Sequence, residues 1–196
     1  VASIVDLCAC DAGISPTEWQ KAQFPKEFQH KIKVIHDGVN TDLCKPNPDA
    51  TFEFKGEIYS NKDEIITYAT RGMEPMRGFP QFMEAVEKLQ KIRPNTHFFI
   101  AGLNKVFYGD KSSGLSYKDD MLNKLKLDMS KIHFVGELSF EKYISLLQIS
   151  SAHVYLTYPF VLSWSLIEAL SCGCLIVSSK TPPVEEVIID NKNGLL

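Results

Sequence analysis

A chain of 196 residues, 44% of them hydrophobic and 23% charged, can bury one substantial core, so a single domain of α/β size is expected. Its 21 Lys and Arg stand against 24 Asp and Glu, a net charge of −3, with both signs interspersed along the chain. That leaves no basic stripe for neutralising phosphates and argues against nucleic acid as a partner.

No apolar run reaches the roughly 18 to 20 residues of a membrane span, and no signal peptide is recognisable at Val1. Cys8, Cys10, Cys44, Cys172 and Cys174 include no Cys-x2-Cys pair and read as buried, reduced thiols of a cytoplasmic protein, with peripheral membrane association of a longer protein left open. The opening at Val1 without methionine and the close at "NKNGLL" read as the ends of a piece cut from a longer protein.

Residues 1–64 are less regular than the rest and are expected to hold a linker helix, a strand and an exposed loop. "SPTEWQKAQFP" offers Ser15 as N-cap, Pro16 at the first helical position and Glu18 in the same turn. "KIKVIHDGV" reads as a strand entering a glycine turn, and "KPNPDATFEFKGEIYSNKDE" as an exposed hairpin or long loop.

Between Ile65 and Val187 short β-rich runs alternate with helical patterns. The runs at 65–70, 97–102, 132–136, 152–158 and 174–179 are too short for helices and suit buried strands. Between them, "FPQFMEAVEKLQKI" carries Phe79, Phe82, Met83, Val86 and Leu89 on one stripe, and "SFEKYISLLQIS" carries Ser139 as N-cap with Phe140, Tyr143, Ile144 and Leu147 at helical spacing. "SWSLIEALSCG" starts on Ser163 and stops at Gly173, with Ile167, Leu170 and Ser171 expected on or near the core. Repeated β-α-β units predict an α/β fold with a Rossmann-like, doubly wound parallel sheet.

Ligands of such sheets bind outside the carboxyl ends of the strands. After the first run, "RGMEPMRGF" sets Arg71 and Arg77 around Gly72 and Gly78 just before a helix. Two permanent cations, permissive backbone and a helix N-terminus suit a diphosphate, while a solvated loop with surface arginines is the open alternative. Gly102, after the second run, allows close backbone approach. After the fourth, Tyr158 ends the strand, and Leu162, Ser163, Trp164 and Ser165 would form a first helical turn whose amides face the same cleft. Glu168 follows one turn on, where a carboxylate could accept from two ribose hydroxyls or simply complement the helix dipole.

His36 and Asp37 in "HDGV" read as loop structure around Gly38, and Asp119 and Asp120 as the start of a helix. His97, His133 and His153 lie in or beside strands and read as packing. No zinc-type cluster or nucleophile elbow is present.

Taken together, "SWSLIEALSCGCLIVSSKTPPVEEVIIDNKNGLL", "YATRGMEPMRGFPQFMEAVEKL" and "VIHDGVNTDLCKP" closely resemble the C-terminal, nucleotide-sugar-binding half of retaining GT-B glycosyltransferases of the family 4 (group 1) type. The resemblance covers nearly the whole chain, with the motifs in order. It implies one half of a GT-B architecture, a nucleotide-sugar-binding domain over 65–196, a UDP-, GDP- or ADP-sugar donor, no metal or cofactor, and a missing N-terminal acceptor domain without which the fragment is inactive. It assigns Arg71 and Arg77 to the donor diphosphate and Glu168 to the donor ribose, the candidate catalytic set. Ser163 and Trp164 fall at the distal phosphate and sugar, and Leu138 near the base.

Two positions depart from the pattern. Phe160 stands where the first glutamate of a glutamate-x7-glutamate element usually meets the donor sugar, so sugar recognition must differ or lean on backbone amides and Tyr158. Arg77 stands in the usual place of a lysine, an exchange that keeps the charge and makes Arg77→Lys a mild change on sequence grounds. A non-catalytic nucleotide-sugar-binding module is the rival that Phe160 suggests.

Overall fold

In the computed structural model, which describes residues 2–109 and 114–196, the five β-rich runs pair into one parallel sheet. In chain order the elements are α1 (Ala2–Ala9), β1 (Gly13–Ser15), α2 (Glu18–Ala22), α3 (Lys26–Gln29), β2 (Ile32–Val34), β3 (Thr51–Phe54), β4 (Glu57–Ser60) and β5 (Ile65–Gly72), then α4 (Phe79–Ile92), β6 (His97–Leu103), α5 (Tyr117–Lys124), β7 (Ile132–Gly136), α6 (Phe140–Gln148), β8 (Ala152–Tyr155), α7 (Trp164–Ser171), β9 (Ile176–Ser178) and α8 (Pro182–Glu185).

The sheet runs β7-β6-β5-β8-β9, so the chain winds outward in one direction from β5 and then returns to β5's other side. This is the doubly wound order, and it opens a crevice at the carboxyl ends of β5 and β8, where the winding reverses. Strand residues alternate between the two layers. Phe98 and Ile100 pack with Phe79, Phe82, Met83 and Val86 of α4, whereas Phe99 and Ala101 pack with Leu146 and Ile149 on the opposite face. Period-2 alternation with apolar residues at both phases is what a sheet covered on both sides requires.

Strand β8 ends at Tyr155, short of the expected 158, because the backbone leaves the ladder. The Thr157 amide donates to Ser179 Oγ (3.0 Å) and the Tyr158 amide to the Met76 carbonyl (3.1 Å), tying the loop after β8 to the loop after β5.

Three local expectations are corrected. The N-cap of α2 is Thr17, whose hydroxyl accepts the Gln20 amide at 3.1 Å, while Ser15 belongs to β1 and donates its hydroxyl to the Thr17 carbonyl at 3.0 Å. The "TFEFKGEIYS" segment is a hairpin, β3 against β4, exposed on one face only. Phe52 and Tyr59 are buried, with Phe52 edge-on to Phe99 at 5.6 Å and Tyr59 edge-on to Phe99 at 4.9 Å, so the hairpin covers the sheet. In α7 the deepest residues are Leu166 and Ala169, with Ile167 and Leu170 partly buried and packed against the core as expected. The third correction is in α6, where Leu146 joins the core and Phe140, expected on the apolar stripe, lies at the exposed start.

The segment before β3 is fastened to the sheet domain by Glu186, whose carboxylate accepts the amides of Glu18 (2.8 Å) and Trp19 (2.7 Å) at the N-terminus of α2. No helix among the described residues is long and apolar enough to cross a membrane.

Candidate functional site

A cleft of about 310 Å³ opens at the carboxyl ends of β5, β6 and β7 against the first turns of α7. Its placement follows from topology, since the winding of the sheet reverses between β5 and β8. The structure brings Arg71, Arg77, Gly102 and Leu138 to one cleft with Ser163, Trp164, Ser165 and Glu168.

Arg71 is the penultimate residue of β5, and its guanidinium carbon lies 4.4 Å from the centre of the Phe107 ring. Arg77 closes the 3-10 turn Pro75–Arg77; its Nη1 donates to Thr157 Oγ1 at 3.3 Å and its carbonyl accepts from the Tyr68 hydroxyl at 2.6 Å. Gly78, next in the chain, sits at φ 65°, and a Cβ there would stand 2.4 Å from Leu156 Cβ. Only glycine lets the turn reverse against that side chain and start α4. Among the described residues neither arginine has a carboxylate within ion-pair distance. Two uncompensated guanidinium groups therefore face a single concavity, which suits a polyanion.

The opposite wall is the start of α7. Ser163 is its N-cap, with a hydroxyl that accepts the Ser165 amide at 3.4 Å, and the Ser163 amide donates to the buried Tyr155 hydroxyl at 3.2 Å. Trp164 is exposed, and its indole Nε1–H donates to Asp37 Oδ2 at 2.9 Å, joining the helix start to the "HDG" loop. In that loop His36 Nδ1 accepts the Gly38 amide at 2.9 Å.

Glu168 is half-buried on the same helix, and burial raises its carboxyl above the usual carboxylate range while the neighbouring Tyr143 hydroxyl partly offsets that rise. Tyr143 is itself pushed well up by burial and by the Glu168 charge. Its hydroxyl lies beside the carboxylate yet makes no hydrogen bond of ordinary geometry, so the Glu168 oxygens keep acceptor capacity toward the cleft.

Five residues expected at the site lie off the cleft wall. Leu162 is 2% exposed and packs in the core with Leu166 and Ile176, so its side chain is structural. Tyr158 is 60% exposed and does not line the cleft, and its amide is bonded to the Met76 carbonyl. Gly72 admits the crossing chain, since a Cβ there would meet the Lys105 carbonyl at 2.5 Å. Gly78 is occupied by the Leu156 contact already described, and Phe160 stands behind Arg77, its ring centre 5.3 Å from the guanidinium carbon. Gly102, which does line the cleft, has φ 131° and its own close partner, the Thr70 carbonyl, 2.0 Å from where a Cβ would be.

Sequence reasoning missed Glu74. It is fully buried beside the arginine loop, and its Oε2 accepts the amides of Phe107 (2.6 Å) and Tyr108 (2.9 Å), pinning the loop after β6. The signal available was an acid flanked by Met73, Pro75 and Met76, as odd in its way as Glu168 among its apolar neighbours. Asp119 lies in the first turn of α5, where its amide donates to the N-cap Ser116 Oγ (3.1 Å), and no group of three His, Cys, Asp or Glu among the described residues could hold a metal ion.

Residues 49–196, well over half of the chain, match the family described as "Glycosyl transferases group 1", and residues 1–44 match "Glycosyl transferase family 4 group". The chain belongs to the group 1 glycosyl transferases. Among curated proteins it is similar to an uncharacterised glycosyltransferase of Methanocaldococcus jannaschii, 39% identical over 66 residues, which is 33% of this chain and 17% of that protein. Among solved structures it resembles a sucrose-phosphate synthase of Thermosynechococcus elongatus (TM-score 0.74, 17% identity, 98% of this chain and 47% of that one). S. aureus TarM, solved with fondaparinux, α-GlcNAc-glycerol and UDP, is similar over 97% of this chain and 34% of its own (TM-score 0.71, 20% identity). The C-terminal domain of a group 1 family protein, LpcC, from Francisella tularensis is similar over 81% of this chain and 78% of its own (TM-score 0.63, 21% identity). These likenesses give the fold, that of the C-terminal domain of a GT-B glycosyltransferase; the chain spans a fraction of the length of the curated relative and of the two larger structures.

Proposed function

We propose that the cleft binds a nucleoside-diphosphate sugar and that, together with an N-terminal acceptor-binding domain, the protein transfers that sugar to an acceptor hydroxyl. The observation that carries this is the meeting of Arg71, Arg77 and Glu168 in one cleft at the winding reversal of a glycosyl transferase fold. UDP is present in the TarM structure named above, which supports the donor class.

In this reading the arginines and the amide end of α7 face the two phosphates, and Glu168 accepts from the ribose hydroxyls. When the bond between the anomeric carbon and the diphosphate oxygen breaks, negative charge grows on the departing diphosphate. Fixed guanidinium groups that need no reorganisation at that moment stabilise it, and neither Arg71 nor Arg77 must first give up an ion pair. Retention of anomeric configuration is the outcome that the family resemblance implies. Because such a site closes between two domains, the 196-residue chain alone is expected to bind donor weakly and to transfer nothing.

A calorimetric panel of UDP, GDP and ADP with their sugars tests the proposal. Binding of at least one diphosphate, with the free nucleoside far weaker, is the expected result, and a chain that binds none of the panel contradicts it.

A further inference from the structure

The Arg77 guanidinium, which donates to Thr157 Oγ1, also lies against two aromatic rings. Its guanidinium carbon lies 5.4 Å from the ring centre of Tyr108 and 5.3 Å from that of Phe160, and those two centres are 5.1 Å apart with the rings tilted by 59°. The three points form a nearly equilateral triangle, so the cation sits over the notch of a V made by two rings. Tyr108 comes from the loop after β6, Phe160 from the loop after β8 and Arg77 from the loop after β5, so the contact gathers three loops at the mouth of the crevice. Tyr108 is fixed in turn, because its amide and that of Phe107 are held by the buried Glu74 carboxylate.

We propose that Tyr108 and Phe160 are positioning residues for the donor diphosphate: they cradle the Arg77 guanidinium and leave its free N–H groups to the cleft, with Arg77 and Phe160 acting as a matched pair. The proposal rests on reading the cleft as a diphosphate site. Electrostatics explains why the cradle is aromatic. A carboxylate at position 160 would pair with Arg77 and cancel charge that a polyanionic ligand needs, whereas a ring attracts the cation through its quadrupole and leaves the net charge intact. Geometry explains why the cation is an arginine. A guanidinium can lie against rings and still present several in-plane donors, but a lysine offers a point charge on a flexible stem. The departures at Phe160 and Arg77 are therefore one change, made at two positions that touch. Arg77→Lys, mild on sequence grounds, becomes costly in this cradle.

The test is titration of the chain with UDP and with inorganic pyrophosphate, for the wild type and for Phe160→Leu, Phe160→Tyr, Phe160→Glu and Tyr108→Leu, each also in an Arg77→Ala background. Phe160→Leu and Tyr108→Leu should weaken both probes by roughly two- to tenfold, since an exposed cation–ring contact is of that size. Phe160→Tyr should restore the affinity, and Phe160→Glu should weaken it most. In the Arg77→Ala background the same changes should have almost no effect, because their route runs through Arg77. Losses that persist undiminished without Arg77 overturn the proposal, as does a Phe160→Leu chain that binds like wild type. Should Tyr108→Leu fail to fold, the three substitutions at the partly exposed Phe160 carry the test. A wild-type chain that binds neither probe overturns the diphosphate reading and the positioning role together, whereas wild-type binding without coupling overturns the positioning role alone.

Discussion

Replacing Glu168 by glutamine should separate binding from stability, because the structure assigns opposite signs to the two effects. The carboxylate is half-buried and its carboxyl is raised by burial, so the folded protein disfavours the charged form. A group raised in this way contributes stability that is present below its unfolded pKa and lost as pH rises through its folded one. At neutral pH the ionised carboxylate is therefore a net cost to the fold, and Glu168→Gln should leave the melting temperature unchanged or slightly higher. Binding should move the other way. If both carboxylate oxygens accept from the ribose hydroxyls, losing a charge-assisted bond costs about 1.5 to 3 kcal/mol, on the order of ten- to a hundredfold in affinity. A 2′,3′-dideoxy analogue should lose almost nothing. Wild-type affinity for the ribonucleotide should fall as pH drops through the raised Glu168 pKa, and the glutamine variant should show no such fall. Calorimetry with the two nucleotides, paired with thermal melts, reads all of this. Equal losses for both ligands, or a melting temperature that drops with the charge, would refute the reasoning and leave Glu168 as a partner of the α7 dipole, an effect of about 0.3 to 1 kcal/mol.

Two further outcomes follow from the fold. His153 is fully buried with Nδ1 2.9 Å from the Thr67 hydroxyl, and burial lowers it from 6.5 to about 4; His133, stacked on His97, is likewise lowered to about 4. Both are held neutral, so their contribution to denaturant-measured stability should be constant above about pH 7 and fall from about 6.5 toward 4, by about 3 kcal/mol for His153 alone; a His153→Asn chain with an unchanged slope over that window would contradict this. Gly78→Ala should destabilise the chain by about 2 to 4 kcal/mol, combining a left-handed φ with a Cβ placed against Leu156 Cβ, which no rotamer change can move. Native-like stability in that variant would mean the turn can open without disturbing the Arg77 loop.

The sheet was legible in the sequence because its strands are short, apolar and regularly spaced, and their runs at 65, 97 and 132 begin where the strands do. What stayed hidden depended on contacts between distant segments. The hairpin looked solvent-exposed because its charges and prolines dominate its composition, yet Phe52 and Tyr59 find Phe99, more than thirty residues away in the chain. Ser15 and Thr17 are equally good caps on paper, and the pairing of Gly13–Ser15 with Ile32–Val34 takes Ser15 into a strand. At the site, Arg71, Arg77 and Glu168 were marked by residue type at the ends of strands and the start of a helix. Glu74 offered only its apolar flanks as a signal, and Phe107 and Tyr108 offered none, because their contact with the Glu74 carboxylate joins segments more than thirty residues apart. Leu162 was expected at the site through the amides of the helix start, and what the sequence did not reveal is that its side chain packs in the core.

The central claim, that this cleft grips a diphosphate, is tested most directly by titrating one nucleoside diphosphate and its parent nucleoside into wild type, Arg71→Ala and Arg77→Ala at two salt concentrations. Each alanine should cost about 1.5 to 3 kcal/mol for the diphosphate and almost nothing for the nucleoside, because only the phosphates meet the guanidinium groups. Wild-type affinity for the diphosphate should also fall as salt is added, since the cleft is open to solvent. Diphosphate binding unchanged in both alanine variants would contradict the account and return the Arg71–Arg77 loop to a solvated turn.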